Sequence, residues 1–120
     1  ETFPGVESKL HRQYYSSKVT DIITYIHHNI DSQLSIGEIA AHFYLSTSYL
    51  CRLFKKSTGT TINSYIISCR IELAQRLLSG GYSVNEAYSM CGFNDYSNFF
   101  KAFTKKVGIS PKKYAQNSLS

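Results

Sequence analysis

The sequence predicts an all-α protein of two helix-turn-helix lobes joined by a long linker helix, and three observations predict it. The first is an internal repeat: Ser35 falls on Ser83, Ile36 on Val84, Glu38 on Glu86, Leu45 on Phe93 and Ser46 on Asn94, an offset of 48. After one extra residue the offset becomes 49, and Leu50 falls on Phe99, Arg52 on Lys101, Phe54 on Phe103, Lys56 on Lys105, Gly59 on Gly108 and Tyr65 on Tyr114. The second is that apolar residues before, within and between the copies recur at helical spacing. The third is that both copies open with Ser-x-x-Glu, in which the serine caps a helix and the glutamate reaches back as the other half of a capping box.

Residues 1–16 show no sustained period and carry Pro4-Gly5, so they read as a linker or the tail of an absent upstream domain. An opening glutamate in place of methionine fits a fragment of a longer protein. From Ser17 onward, Val19, Ile22, Ile23, Ile26 and Ile30 mark a first helix of about residues 17–30 that covers the first lobe. Ser35 and Glu38 start the next helix, with Leu34 against Ile39 as a hydrophobic staple; Tyr82, Ser83, Glu86 and Ala87 repeat the device.

Each short helix stops at a turn. Gly92 supplies the left-handed residue that closes the second copy's helix, and Asn94 is expected to cap the helix that follows. Tyr44 stands at the glycine position of the first copy, where positive φ strains a bulky residue, so the first turn is expected to differ in geometry.

The second helix of each copy has two faces. Over residues 47–57, Leu50, Leu53 and Phe54 point inward, leaving Ser48, Cys51, Arg52 and Lys55 on the opposite side. In the second copy Phe99, Ala102 and Phe103 form the inner face, with Ser97, Phe100, Lys101 and Thr104 outside and Tyr96 at the helix start.

Between the copies Thr61 starts a run with apolar residues at Ile62, Tyr65, Ile66, Cys69, Leu73, Ala74, Leu77 and Leu78, ended by Gly80-Gly81. A helix of that length spans roughly 27 Å, against about 34 Å between successive major-groove faces on one side of B-DNA. Ser110-Pro111 opens a last helix, running to about Asn117, with proline at its first position. The expected division is a first lobe over 17–60, a linker helix over 61–79 and a second lobe over 80–120.

At 120 residues, with 42% apolar and 14% aromatic residues, the chain has the make-up of one compact domain or two small lobes. No apolar run approaches membrane-spanning length. The net charge of +5 is unevenly spread: residues 1–45 hold three cations against five acids, a net of −2, and residues 46–120 hold ten against three, a net of +7. The basic part begins with the first two-faced helix, so the expected partner is anionic.

Cys51, Cys69 and Cys91 are odd in number and lack a C-x-x-C pair, which points to neither a disulfide framework nor a metal site, and to a reducing cytosol. Enzyme signals are weak. His27-His28 and His42 have no ligand spacing, Gly80-Gly81 follows a helix as a plain stop, no cofactor motif is present and no catalytic set stands out. Cys69 lies on the apolar stripe and reads as core, while Cys51 lies on the outward face.

One polar outer face is by itself only a solvated face, but here it occurs twice. Arg52 and Lys101 share one outward position, as do Lys56 and Lys105. Arginine can bond both acceptors of a guanine edge, where lysine makes a less directional contact. Phe100 has two readings, contact with thymine methyl groups or packing against a neighbouring helix. Lys55, Lys105, Lys106, Lys112, Lys113 and Arg70 are candidate phosphate contacts, and the helix starts at Ser35 and Ser83 offer backbone N–H groups to phosphates.

These residues resemble the DNA-binding domain of the AraC/XylS family of bacterial transcription regulators over about residues 17–116. The stretch from Gly92-Phe93-Asn94-Asp95-Tyr96-Ser97 through Asn98-Phe99-Phe100-Lys101-Ala102-Phe103, followed by Lys105-Lys106, Gly108, Ser110-Pro111 and Tyr114, is similar to the family signature. Leu45 to Gly59 is similar to the corresponding stretch of the first copy, and Arg70-Ile71-Glu72-Leu73-Ala74 to the linker-helix segment.

The resemblance implies seven helices in two lobes. It implies base contacts at Ser48, Cys51, Arg52, Tyr96, Ser97, Phe100 and Lys101, beside the phosphate contacts expected among Ser35, Lys55, Lys56, Arg70, Ser83, Lys105 and Lys106 from charge and helix starts. Small residues at Ser48 and Cys51, and Phe100 and Lys101 where more strongly hydrogen-bonding residues are common, skew base reading toward Arg52.

The expected partners are double-stranded DNA and RNA polymerase. This stretch is expected to be monomeric, with dimerisation left to an upstream domain, and nucleoid-associated in the cytoplasm. The outward faces differ between copies, so an asymmetric DNA site is expected. Two other classes stay open: a helical module binding an acidic protein, and a cysteine-based alkyl transfer that needs a reactive thiol.

Overall fold

A computed structural model describes residues 17–118 of the chain, and the linker or tail expected over residues 1–16 lies outside them. The described residues form seven helices and no strand. They are α1 (17–28), α2 (Ile36–His42), α3 (Thr47–Thr58), α4 (Ile62–Ser79), α5 (Val84–Met90), α6 (Tyr96–Val107) and α7 (Pro111–Ser118). The first helix turns off at residue 28, so Ile30 lies in the following turn and not on the helix.

Two compact units result. The first comprises residues 17–28 and 34–63, which hold α1, α2, α3 and the start of α4; the second comprises residues 29–33 and 64–118.

In the first unit the helical period has the expected outcome. Val19, Ile22 and Ile26 of α1, Ile39 and Ala40 of α2, and Leu50, Leu53 and Phe54 of α3 are all buried. Each Val, Ile, Leu or Phe side chain contributes about 1.5–3 kcal/mol when fully buried. In the second unit Ile71, Ala74 and Leu78 of α4 pack with Ala87, Cys91, Phe99 and Phe103. Ile71 is completely buried although the expected stripe on α4 omits it, and Leu73 and Leu77 only flank that core. An 18-residue helix covered on more than one side buries more than one stripe.

Helix starts follow the capping chemistry with two corrections. Ser83 and Glu86 form a full capping box: Ser83 N donates to Glu86 Oε1 at 2.8 Å and Glu86 N to Ser83 Oγ at 3.1 Å. Those hydrogen bonds hold the Glu86 carboxyl below the usual glutamate range. At Ser35 the side chain accepts from Glu38 N, but the Glu38 carboxylate takes the Ser35 hydroxyl and not the backbone N–H, so the first box is half made.

The second correction concerns α6. Its cap is Asp95, which accepts from Asn98 N at 2.9 Å, whereas Asn94 Oδ1 accepts from Gln33 Nε2. Asp95 therefore matches Ser46, the cap of α3, and the extra residue of the second copy lies in the turn before the cap.

The first turn keeps the left-handed residue and differs from the second in its φ. Tyr44 adopts the left-handed conformation at φ 58, as Gly92 does at φ 96. Two backbone bonds impose it, Leu45 N to Ala40 O at 2.9 Å and Tyr44 N to Ala41 O at 3.2 Å, the pattern of a Schellman closure. The ring is left 96% exposed.

Candidate nucleic-acid interface

Two 12-residue helices, α3 and α6, carry the outward residues, and their ends are built alike. Ser46 and Asp95 cap the starts in extended backbone, and Gly59 and Gly108 close the ends, each N–H reaching the carbonyl four residues back at 2.8 Å. Leu50, Leu53 and Phe54 hold α3 on the first unit, and Phe99 and Phe103 hold α6 on the second.

With the inner faces held, the opposite faces lie in solvent. Ser48 and Arg52 of α3 and Tyr96, Ser97, Phe100 and Lys101 of α6 are exposed, and Cys51 is half-buried. Because Thr47 and Tyr96 are equivalent helix starts, Ser48 matches Ser97, Cys51 matches Phe100 and Arg52 matches Lys101. The faces thus share a hydroxyl and a cation and differ at three positions, Thr47 against Tyr96, Cys51 against Phe100 and Lys55 against Thr104.

Phe100 is 42% exposed, and its ring lies near that of Tyr96, one turn back on the same helix, at 6.4 Å between ring centroids.

Lys55 and Lys56 lie in the last turn of α3, and Lys105 and Lys106 in the last turn of α6. All four are exposed, and there they also oppose the negative helix end. Lys106 Nζ in addition donates to Ser68 Oγ at 3.0 Å. Ser35 and Ser83 occupy the starts of α2 and α5, where their hydroxyls are already engaged as caps.

Arg70 has a structural employment that spacing could not reveal. Its Nε donates to Ile30 O at 3.0 Å and its Nη2 to Ser32 O at 2.8 Å, and partial burial lowers its pKa from the usual value. This grip, with the Gln33 bond to Asn94, accounts for the grouping of residues 29–33 with the second unit. Two of the five guanidinium N–H donors are thereby committed to backbone carbonyls. Gly92 lies against the same group, close enough that a Cβ there would stand 2.3 Å from Ile30 O and 2.7 Å from Arg70 Nε.

Of the other side chains considered for chemistry, His27 and His28 are exposed. His42 stacks on Tyr25 at 4.2 Å. Cys69 and Cys91 are buried, and burial raises both thiols above their ordinary value, the reverse of what a nucleophile needs. No helix among the described residues is long and apolar enough to cross a membrane.

Residues 39–117 match a family described as a helix-turn-helix domain. The chain is 37% identical over 109 residues to the Msm operon regulatory protein of Streptococcus mutans, which covers 90% of this chain and 38% of that protein. It is 32% identical over 108 residues to the transcriptional activator AarP of Providencia stuartii, covering 89% of this chain and 80% of AarP.

Among solved structures it resembles the C-terminal domain of AraT, a response regulator from Geobacillus stearothermophilus. The TM-score is 0.79 at 26% identity, over 82% of this chain and 84% of that one. It also resembles the DNA-binding domain of the global transcriptional factor AdpA in complex with a target DNA, with a TM-score of 0.78 at 28% identity over 82% and 90%. The chain spans less than two thirds of several of the regulators it matches, including the S. mutans protein at 38% and the melibiose operon regulatory protein of Escherichia coli at 35%.

Proposed function

The chain belongs to the AraC-type helix-turn-helix family of transcriptional regulators, and on that premise we propose that it binds double-stranded DNA sequence-specifically, with α3 and α6 in successive major-groove turns of an asymmetric site. One observation carries the reading: two helices with matched caps and matched docking faces present a serine and a cation at equivalent outward positions. A helix docked by its apolar side and polar on the other is the form in which helix-turn-helix proteins offer side chains to base edges.

In this reading Ser48, Cys51, Arg52, Tyr96, Ser97, Phe100 and Lys101 face bases, and Lys55, Lys56, Lys105 and Lys106 face phosphates, helped by backbone N–H groups at the starts of α2 and α5. Arg52 carries most of the discrimination, because its planar fork can bond guanine O6 and N7 together. RNA polymerase would be a further partner of the intact regulator, and dimerisation would use a part of it outside this stretch.

Salt tests the anionic partner. Binding to any duplex is expected at low ionic strength, with log K falling linearly in log salt at about 0.9 per phosphate neutralised. The four lysines give an expected slope of about −3 to −4, and Lys105→Ala reduces it by about one on specific and random duplex alike. A chain that binds no duplex at low salt returns the reading to an acidic protein partner.

A further inference from the structure

Resting on the DNA reading above, we infer that the aromatic surface of Tyr96 and Phe100 is a site for the 5-methyl groups of thymine on the major-groove edge, and that it makes α6 a reader of thymine where α3 reads guanine. Both rings are 42% exposed, and their centroids lie 6.4 Å apart at 38° between planes. Tyr96 is held from beneath: Tyr88 meets it edge-on at 5.4 Å and the fully buried Phe99 lies at 5.7 Å. A ring supported in this way keeps its apolar surface presented to solvent, and Phe100 lies beside it.

The surroundings of the patch select its occupant. Ser97 and Lys101 flank it, Lys105 follows one turn later, and α6 carries no carboxylate from Tyr96 to Val107. That setting favours a polyanion over an acidic or a purely apolar protein surface.

On the major-groove edges of B-DNA the one apolar group is the thymine methyl, and the residues at the start of a recognition helix are those that reach base edges. Tyr96 is the first residue of α6 and Phe100 lies one turn on. The equivalent of Phe100 in α3 is Cys51, small and half-buried, so the effect belongs to one part of the DNA site and not to the other.

The test replaces thymine by deoxyuridine, which removes only the methyl, in each part of a duplex selected by the 120-residue chain. Affinity is expected to fall about fourfold per contacted methyl, the equivalent of about 0.8 kcal/mol, in one part only. Phe100→Ala is expected to erase the difference between thymine and deoxyuridine there. Lys101→Ala, which weakens binding to both duplexes, is expected to keep the ratio.

Equal affinity for both duplexes by the wild-type chain, with sequence-specific binding intact, overturns the methyl inference and leaves the DNA reading standing. So does a Phe100→Ala chain that binds DNA unchanged but loses self-association. Absence of specific binding to the unmodified duplex overturns the DNA reading itself.

Discussion

Gly92→Ala is expected to destabilise the second unit by about 3 kcal/mol or more, the largest effect of any single methyl added at a glycine among the described residues. Two costs combine. An L-residue at φ 96 is strained by roughly 1–2 kcal/mol. In addition the new Cβ meets a backbone carbonyl, Ile30 O, at 2.3 Å and Arg70 Nε at 2.7 Å. Relief requires the Ile30 carbonyl and the guanidinium both to shift, which loosens the Arg70 bonds to Ile30 O and Ser32 O, and hydrogen bonds to a charged group contribute about 1.5–3 kcal/mol each.

Gly59 and Gly108 also have positive φ, but nothing lies within 4 Å of a Cβ at either, so alanine there is expected to cost only the strain. The opposite change, Tyr44→Gly, removes strain at φ 58 against the greater chain entropy of glycine, and is expected to stabilise by about 0.5–1 kcal/mol. Urea unfolding of the four variants checks the ordering. A Gly92→Ala chain no less stable than Gly59→Ala would contradict the clamp.

Arg52→Ala is expected to leave stability nearly unchanged and to cost about 1–3 kcal/mol of binding at one base pair of the preferred site. The side chain is exposed on α3 and the fold rests on Leu50, Leu53 and Phe54 behind it. The measurement is a competition between the preferred duplex and its single-base variants. The wild-type chain should discriminate sharply at one guanine, and the variant should not. Equal losses on specific and random duplex would reassign Arg52 to a phosphate.

The helices and their faces were legible in the sequence because local chemistry decides them. Ser-x-x-Glu marks two starts, Gly80-Gly81 and Gly92 mark two stops, and the period of Leu50, Leu53 and Phe54 separates inside from outside. What was not legible depends on partners distant in the chain. Asn94 and Asp95 are both competent caps, and the choice falls to Asp95 while Gln33, 61 residues away, takes Asn94.

Arg70 reads as a surface cation until residues 29–33 fold against it 38 and 40 residues from their place in sequence. Tyr44 reads as an obstacle to the turn, yet two backbone bonds hold it in the left-handed region. These local helix-closing bonds overrule a steric preference worth only about 1–2 kcal/mol. The outward residues of α3 and α6 were legible as positions; which bases they meet is a property of the complex with DNA.

Selection from a randomised duplex library tests the central claim most directly. The expected product is a site of two unlike parts about one helical turn, or 10–10.5 base pairs, apart, with a fixed guanine in one part and thymines in the other. A palindrome, a single short motif, or no enrichment over the starting library would contradict it.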